Sequence, residues 1–483
     1  MIFDSSEAGI GNCLICMKSS TLTIGTFALI AQFAPCLPTQ ARLTNQAGPF
    51  YSNSGTAQER GVLSVLGSSV AKGARSSGDL EKRLINGSYL NGYAAHLTTL
   101  EASNGWLVVN QSVGGDTTDR VKDRFYRDEV PVHADAILIG LSLGNEGLAG
   151  AANPQAIYDH FFTGITNLIA MSRANNLLPV IGDQYPKDTY SAAEYVLLKR
   201  MDLQLNTLDV PSVNFLGATD DGAGHWVKND FINLGSGDGT HPSDAGYYEM
   251  FLTIVPSVFE AVKLGKPTTQ WGDRTHCLRL SGDATEAAPL SFNPTEIMHS
   301  FTMSFRVRSA TTGTVASIAL PSSSIHPTIE ITSTGLAYIG ANGMTNNSDV
   351  TGTNGAWHDV LLAHQYARGK TWFYVDGALI ATVSERLTPI GFILGGTGSA
   401  TVRPDSPVQA DYQNWMVHRS MLNAEEVEAQ HQGRLQQASL DLYAPLDDAS
   451  FSHGGSVKNL AQSLATARIN GSSANYHSAV TIQ

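Results

Sequence analysis

The sequence predicts two folds in series, an α/β domain with helices on both faces of a parallel sheet and then an all-β sandwich. Three observations predict this. From Gly61 to about Lys266, apolar strand-like runs alternate with helical patterns, the order that gives a parallel sheet covered on both faces. Beyond Gly265-Lys266-Pro267-Thr268-Thr269 the helical periodicity nearly vanishes, and short strands separated by Gly, Ser, Thr and Asn turns take over, the spacing of a sandwich. The chain has 483 residues, more than one hydrophobic core usually serves.

In chain order, Val62–Leu66 reads as the first strand, residues 89–100 as an amphipathic helix and Trp106–Asn110 as the second strand. Residues 134–143 read as a buried central strand. Residues 157–171 read as a helix that Asn153-Pro154 opens, because proline is favoured in a first helical turn. Strands are expected over 177–182 and 213–217, and helices over 192–208 and 244–264. In the second half, strands are expected at 278–280, 301–307, 329–331, 359–363, 372–375 and 440–443, with one helix over 423–432. The expected organisation is a leader over 1–41, an α/β domain over 42–266, a linker over 267–274, a sandwich over 275–448 and a tail over 449–483 that packs on the sandwich.

Composition narrows the function. Hydrophobic residues make up 42% and charged residues 15% of a chain with formal net charge −13. That is a globular composition, and without a basic run nucleic acid is not an expected partner. The cysteines are Cys13, Cys16, Cys36 and Cys277. Cys13-Leu-Ile-Cys16 has redox or zinc spacing, but no second pair completes a metal set. Lys18, the apolar run from Leu22 to Phe33 and the small-residue site Thr39-Gln40-Ala41 fit a secretory leader better, with Met17 as an alternative start. Its apolar stretch is too short for a membrane span. A secreted, periplasmic or cell-surface protein without a transmembrane span is expected.

Two separated segments carry the chemistry. Ser69 follows the first strand in Val65-Leu-Gly-Ser-Ser-Val-Ala-Lys-Gly73, and Asp238-Gly-Thr-His241-Pro242 precedes a helix. A serine hydroxyl is a weak nucleophile until a base takes its proton, and that base needs a carboxylate to fix its tautomer. Ser69, His241 and Asp238 supply these three groups. Singly, a serine after a strand is more often a turn or cap residue, and a lone histidine is more often a hydrogen-bonded surface group. The same holds for Gly114-Gly115 as a turn and Asn145 as a cap. The four blocks carry weight together, because Ser69, Gly115 and Asn145 each lie just beyond an expected strand, where open α/β sheets build their sites.

With Gly67-Ser68-Ser69, Asn110 to Thr118, Ser142-Leu143-Gly144-Asn145-Glu146 and Asp238 to Pro242 in this order, the first half resembles the SGNH (GDSL-type) hydrolases. The resemblance implies a flavodoxin-like sheet, a Ser69 nucleophile, a His241 base, an Asp238 orienter, and an oxyanion hole from the Ser69 and Gly115 N–H groups and the Asn145 amide. It implies no catalytic cofactor. Three positions depart from the family pattern: Ser68 replaces the usual aspartate, Ser112 a glycine, and Glu146 an aspartate, with Gly144 directly before Asn145. No metal set is visible, and His160 and His225 read as solvated or structural.

The second half resembles concanavalin A-like, laminin-G-like jelly rolls, through Phe301 to Phe305, Trp357 to Val360, Trp372 to Gly377, Asp411 to Trp415 and Leu422 to Val427. Calcium occurs in some such domains, but no ligand set here supports it. Trp357, Trp372 and Trp415 read as core positions more readily than as sugar platforms. The expected function is a secreted serine esterase that deacetylates a polysaccharide. A lipase or short-chain acyl esterase is one alternative, and a glycan-binding protein with an inactive hydrolase domain is another.

Overall fold

The computed structural model describes residues 61–281, 289–321, 326–396, 408–447, 455–470 and 474–478. The leader reading and Cys13, Cys16 and Cys36 lie outside the described residues.

The first half is an α/β fold. Strands β1 (Gly61–Gly67), β2 (Trp106–Asn110), β3 (Ala136–Gly140), β4 (Leu178–Gly182) and β5 (Ser212–Val213) form one parallel sheet in the order β2-β1-β3-β4-β5. This is the flavodoxin-like order, whose switch point lies between β1 and β3. Strand periodicity divides the core in two. Leu63, Val65, Ala136, Leu138 and Val180 face one apolar cluster, while Leu66, Ile137, Ile139 and Ile181 face the other. Helices α1 (Ser69–Lys72), α2 (Tyr93–Ser103), α3 (Thr118–Arg124), α4 (Pro154–Ala174), α5 (Ala192–Leu205), α6 (Asp244–Leu252) and α7 (Val258–Lys263) connect and cover the strands.

Three expected elements differ from those observed. Helix α2 begins at Tyr93 because Tyr89 pairs with Leu84 in a small hairpin and Gly92 takes the extended N-cap conformation. The strand expected over 213–217 ends at Val213, where the Asn214 side chain accepts the Gly217 N–H at 2.7 Å and opens the turn Leu216–Thr219. The helix expected over 244–264 is two helices, divided where Pro256 lacks the N–H that a continuing helix needs.

The second half is an all-β sandwich of two antiparallel sheets. Among the described residues, one sheet runs Ala378–Ser384, Lys370–Val375, His358–Gln365, Phe301–Arg308, Ala410–His418, His276–Leu280, Ala474–Ser478, with Leu440–Ala444 also paired to Ala410–His418. The other runs Thr345–Asn347, Leu336–Ile339, Thr328–Ile331, Gly313–Ala319, Gly391–Leu394, Leu290–Phe292, Ala467–Ile469, Ser456–Val457. One apolar cluster, including Phe301, Phe305, Phe373, Phe392 and Trp415, fills the space between them. Cys277 is also buried, but outside that cluster, beside Asp411, Arg308 and Arg279. Trp415 is a core residue as expected, but Trp357 and Trp372 are only half-buried, each against arginine guanidinium groups. Helix α8 (Ala424–His431) starts with a capping box between Asn423 and Glu426.

The two halves form one compact unit. The Gln437 side-chain amide donates to the carbonyls of Asn206, Leu208 and Val210. Ser439 N–H donates to Ser212 O at 2.9 Å, extending the edge of β5 by one rung. A Cβ on Gly217 would lie 2.0 Å from Met421 O, so only glycine permits that approach. The expected linker is itself anchored, with Trp271 Nε1 donating to Gly433 O and Gly272 N to Tyr443 OH, both at 2.8 Å.

Three carboxyl groups are buried at this junction: Asp183, Asp202 and Glu426. Glu426 accepts from Asn214 Nδ2 at 3.0 Å and Asn423 N at 2.8 Å, whereas among the described residues no donor reaches either Asp183 carboxyl oxygen in good hydrogen-bond geometry. Burial pushes Glu426 up to about 7. Burial, followed by the neighbouring carboxyl groups, raises Asp183 and Asp202 well above the usual aspartate range. Groups raised in the fold stabilise it at low pH and lose that contribution as pH climbs through the folded value. The Tm is therefore expected to fall between pH 5 and pH 8. Asp183→Asn is expected to flatten that fall and to gain roughly 1 kcal/mol or more at pH 8, measured by thermal melts of both proteins at each pH.

Candidate active site

Ser69 is the first residue of the one-turn helix α1, directly beyond β1. Its neighbour Ser68 is extended, with φ −116° and ψ −151°, so the chain turns sharply from strand to helix at Ser69. The turn needs Gly67, because a Cβ there would meet Gly140 O of β3 at 2.3 Å. Far along the chain, the loop before α6 returns His241 to this point. Ser69 Oγ and His241 Nε2 are 2.9 Å apart, and His241 Nδ1 and Asp238 Oδ2 are 2.8 Å apart. An ionised carboxylate only accepts, so Nδ1–H donates to Asp238 and the Nε2 lone pair is left for the serine proton. The three sequence-predicted residues thus form one hydrogen-bonded series.

The Asp238 loop is held by its own carboxylate. Oδ1 accepts from Thr240 N and His241 N, both at 2.9 Å, and from Ser236 Oγ at 3.1 Å. Gly237 and Gly239 take φ +90° and +73° on either side of it, a conformation that costs glycine little. Burial alone would push the Asp238 carboxyl up, but the His241 backbone and ring N–H groups and the Thr240 N–H outweigh it and hold the group well below the usual aspartate range. These donors favour the ionised carboxylate.

The expected oxyanion donors converge on the same strand ends. A Cβ on Gly114 would lie 3.7 Å from Ser69 Cβ, which places the Gly114-Gly115 loop beside the nucleophile. Gly115 has φ +85°. Among the described residues, neither Ser69 N–H nor Gly115 N–H donates to a protein acceptor. Asn145 Oδ1 accepts from Ser142 N at 2.9 Å and Tyr185 OH at 3.0 Å. These two donors fix the side-chain oxygen and leave the Nδ2 hydrogens unspent.

Of the three departures from the resembled pattern, the Ser112 and Glu146 side chains make hydrogen bonds and, among the described residues, that of Ser68 does not. Ser68 is fully buried, and among the described residues its hydroxyl has no hydrogen-bond partner. Ser112 Oγ donates to Val65 O at 3.3 Å, and its N–H donates to Asn110 Oδ1 at 2.8 Å. Glu146 Oε1 accepts Thr118 N–H, at the start of α3, at 2.6 Å, so this side chain ties the Asn145 loop to the Gly115 loop. His160 lies 3.2 Å from Asp119 and 3.7 Å from Glu146, and His225 Nε2 lies 3.1 Å from Tyr190 O, both structural positions.

Sequence reasoning missed three supporting residues. Arg124 is buried and donates to Asp116 at 2.6 Å and to Gln111 O at 2.7 Å, clamping the oxyanion loop. Tyr185 fixes the Asn145 amide, and Arg75 touches Asp238 at 3.1 Å. None lies within a motif block, so no spacing pointed to them. Among the described residues, no group of three or more His, Cys, Asp or Glu side chains is placed to hold a metal ion, and no helix is long and apolar enough to cross a membrane.

The site is shallow. The His241 and Asp238 side chains keep 18% and 21% of their exposure, and Gly114 and Gly115 are exposed. A half-open cavity of about 60 Å³ lies instead on the sandwich, between α8 and the outer sheet face, lined by Trp271, Tyr374, Asn414, Met416, Gln430 and His431.

No family model and no curated protein matches this chain. Solved structures do. A G-D-S-L-family candidate lipolytic protein from Desulfitobacterium hafniense is 16% identical, with TM-score 0.30 over 39% of this chain and 95% of its own. A catalytic mutant of an acetylxylan esterase from Geobacillus stearothermophilus is 15% identical, with TM-score 0.30 over 43% and 95%. A candidate carbohydrate-binding protein from Bacteroides ovatus is 15% identical, with TM-score 0.33 over 44% of this chain and 62% of its own. The fold itself is read from the strand order above.

Asn145→Ala is expected to lower kcat on an activated ester about 10²–10³-fold, the loss typical of one oxyanion donor, with KM little changed. Steady-state kinetics against wild type check this.

Proposed function

We propose that the protein is a secreted serine esterase of SGNH type that removes O-acetyl groups from a polysaccharide. The observation that carries the esterase reading is the Ser69–His241–Asp238 series at the ends of β1 and the α6 loop, beside three unspent donors. Secretion rests on the leader pattern of residues 1–41.

In this reading Ser69 Oγ attacks the ester carbonyl as His241 Nε2 takes its proton. Negative charge gathers on the carbonyl oxygen, where Ser69 N–H, Gly115 N–H and Asn145 Nδ2 receive it. The imidazolium, held by Asp238, returns the proton to the departing sugar oxygen, leaving acetyl on Ser69. Water then enters, His241 takes one of its protons, and acetate leaves as Ser69 recovers its hydrogen.

The substrate choice follows from the shallowness of the site. A polymer needs an open surface around a small protruding acyl group, whereas a long acyl chain needs a deep apolar channel to bury it. The sandwich adds a second surface for a long substrate.

Acetate release from p-nitrophenyl acetate and from acetylated plant or algal polysaccharides, with wild type beside Ser69→Ala, tests the proposal. Release from polysaccharide that falls at least about 10³-fold in the variant is expected, because the nucleophile is then missing. Equal inertness of both proteins on every ester would favour a glycan-binding protein on a retired hydrolase scaffold. Turnover of long-chain esters in preference to acetyl groups would favour a lipase.

A further inference from the structure

The chain leaves α1 through Gly73 at φ +88° and, two residues on, places Arg75 at φ +68°. The left-handed region costs a residue with a Cβ about 1 kcal/mol or more, so something must hold Arg75 there. Its N–H donates to Asp79 Oδ2 at 2.9 Å, Ala74 N–H donates to Ser69 O at 2.9 Å, and Tyr247 OH donates to Ala74 O at 2.7 Å. This backbone aims the side chain at the catalytic loop. Arg75 Nε donates to Asp238 Oδ2 at 3.1 Å, the same oxygen that receives His241 Nδ1 at 2.8 Å.

That oxygen is the one that orients the imidazole. Here it is shared with a fixed cation. Sharing weakens the pull of Asp238 on the Nδ1 hydrogen. The guanidinium charge also opposes the positive charge that His241 acquires on protonation. Both effects act in one direction, favouring the neutral imidazole.

We infer that Arg75 is a positioning residue that, through Asp238, keeps His241 a free base at lower pH than the triad alone would allow, and so extends the working range of the site into acid. The inference rests on the esterase reading of Ser69, His241 and Asp238. It concerns a contact that hydrolysis as such does not require.

The other charges near this point are accounted for. Asp79 lies on the turn after Arg75 and pairs with Lys82 at 3.0 Å. Asp244, at the start of α6, accepts from Ser77 N and Oγ at 2.8 and 2.6 Å. Lys72 on α1 donates to Ser112 O at 3.2 Å, and Arg120 on α3 donates to Gly115 O at 2.8 Å. Asp188, beyond β4, approaches Gly239 and accepts Trp226 N at 3.1 Å. Tyr247 on α6 is held neutral by burial. Among the described residues, Arg75 is the only arginine or lysine in an ion pair with Asp238. All the other groups persist in an Arg75 variant, so a difference between variant and wild type reports on Arg75 itself.

The test is the pH profile of kcat/KM on p-nitrophenyl acetate for the full chain, its Arg75→Gln and Arg75→Lys variants, and Ser69→Ala as a control. The expected result is an acid limb about half to one pH unit higher in Arg75→Gln, in proportion to the charge removed. Activity at pH 5 then falls about three- to tenfold, with a smaller change on the plateau. Arg75→Lys, which keeps the charge, lies between. Because the Arg75 side chain is 52% exposed, 0.5 M NaCl is expected to move the wild-type limb towards that of the glutamine variant and to leave the variant in place. A uniform loss at every pH with an unmoved limb would mean a purely structural arm and would overturn the inference, as would a limb displaced to lower pH. Ser69→Ala turning over as fast as wild type would overturn the triad reading instead. Titration of the His241 ring by NMR in the same proteins reads the shift without turnover, so an inert wild type still decides the role of Arg75.

Discussion

The candidate site depends on one carboxylate. Asp238 lies in a loop without regular structure, yet it accepts five hydrogen bonds: two from backbone N–H groups, one each from a hydroxyl and a guanidinium, and one from the imidazole it orients. Four of the five donors belong to the 236–241 loop that turns His241 toward Ser69. The backbone pair closes the turn that carries His241, and Ser236 braces the loop before it. Arg75 reaches in from the segment that begins at Ser69 itself. An ion held by so many donors is expensive to disturb, because each would be left unpaired in a partly desolvated place. The loop is therefore rigid where it matters, although little of it is helix or strand.

The opposite side of the site is built on a different economy. The proposed oxyanion donors are groups that, among the described residues, the fold leaves unsatisfied: the N–H of a first helical residue, the N–H of a left-handed glycine, and an amide whose oxygen is already occupied. Unspent donors near the surface are solvated at modest cost while the site is empty, and they need no rearrangement when charge arrives. Arg124 and Glu146 fix the loops that carry them, one through Asp116 and the other through Thr118.

Much of this was legible in the sequence because it is periodic or local. The β1, β2 and β3 runs are apolar and bounded, and Asp238 and His241 sit three residues apart on one turn. The helix that Pro256 divides and the strand that Asn214 ends were misread, because apolar periodicity continued past residues whose backbone chemistry stops an element. Trp357 and Trp372 were misplaced because their apolar neighbours were visible, while nothing in the pattern marked Arg306, Arg308 and Arg368 as stacking on them. Arg75, Arg124 and Tyr185 were invisible for a related reason. Their roles come from contacts across loops, and a charged or aromatic residue outside a motif looks the same whether it meets solvent or a catalytic carboxylate.

The rung that Ser439 adds to β5, with the three carbonyls gathered by Gln437, bears on how the two folds can be inherited. A module joined by a loose tether can be lost, swapped or duplicated without harm to its neighbour. Here the sandwich supplies the hydrogen-bond partners of the last parallel strand and the cover over its buried acids. Cutting at residues 267–274 would leave an open sheet edge, a ready template for aggregation, and would let water reach carboxyl groups that folded without it. The two cores are expected to melt as one cooperative body, and a lineage that discarded the sandwich would have to rebuild the edge of the parallel sheet before it could keep a stand-alone α/β domain.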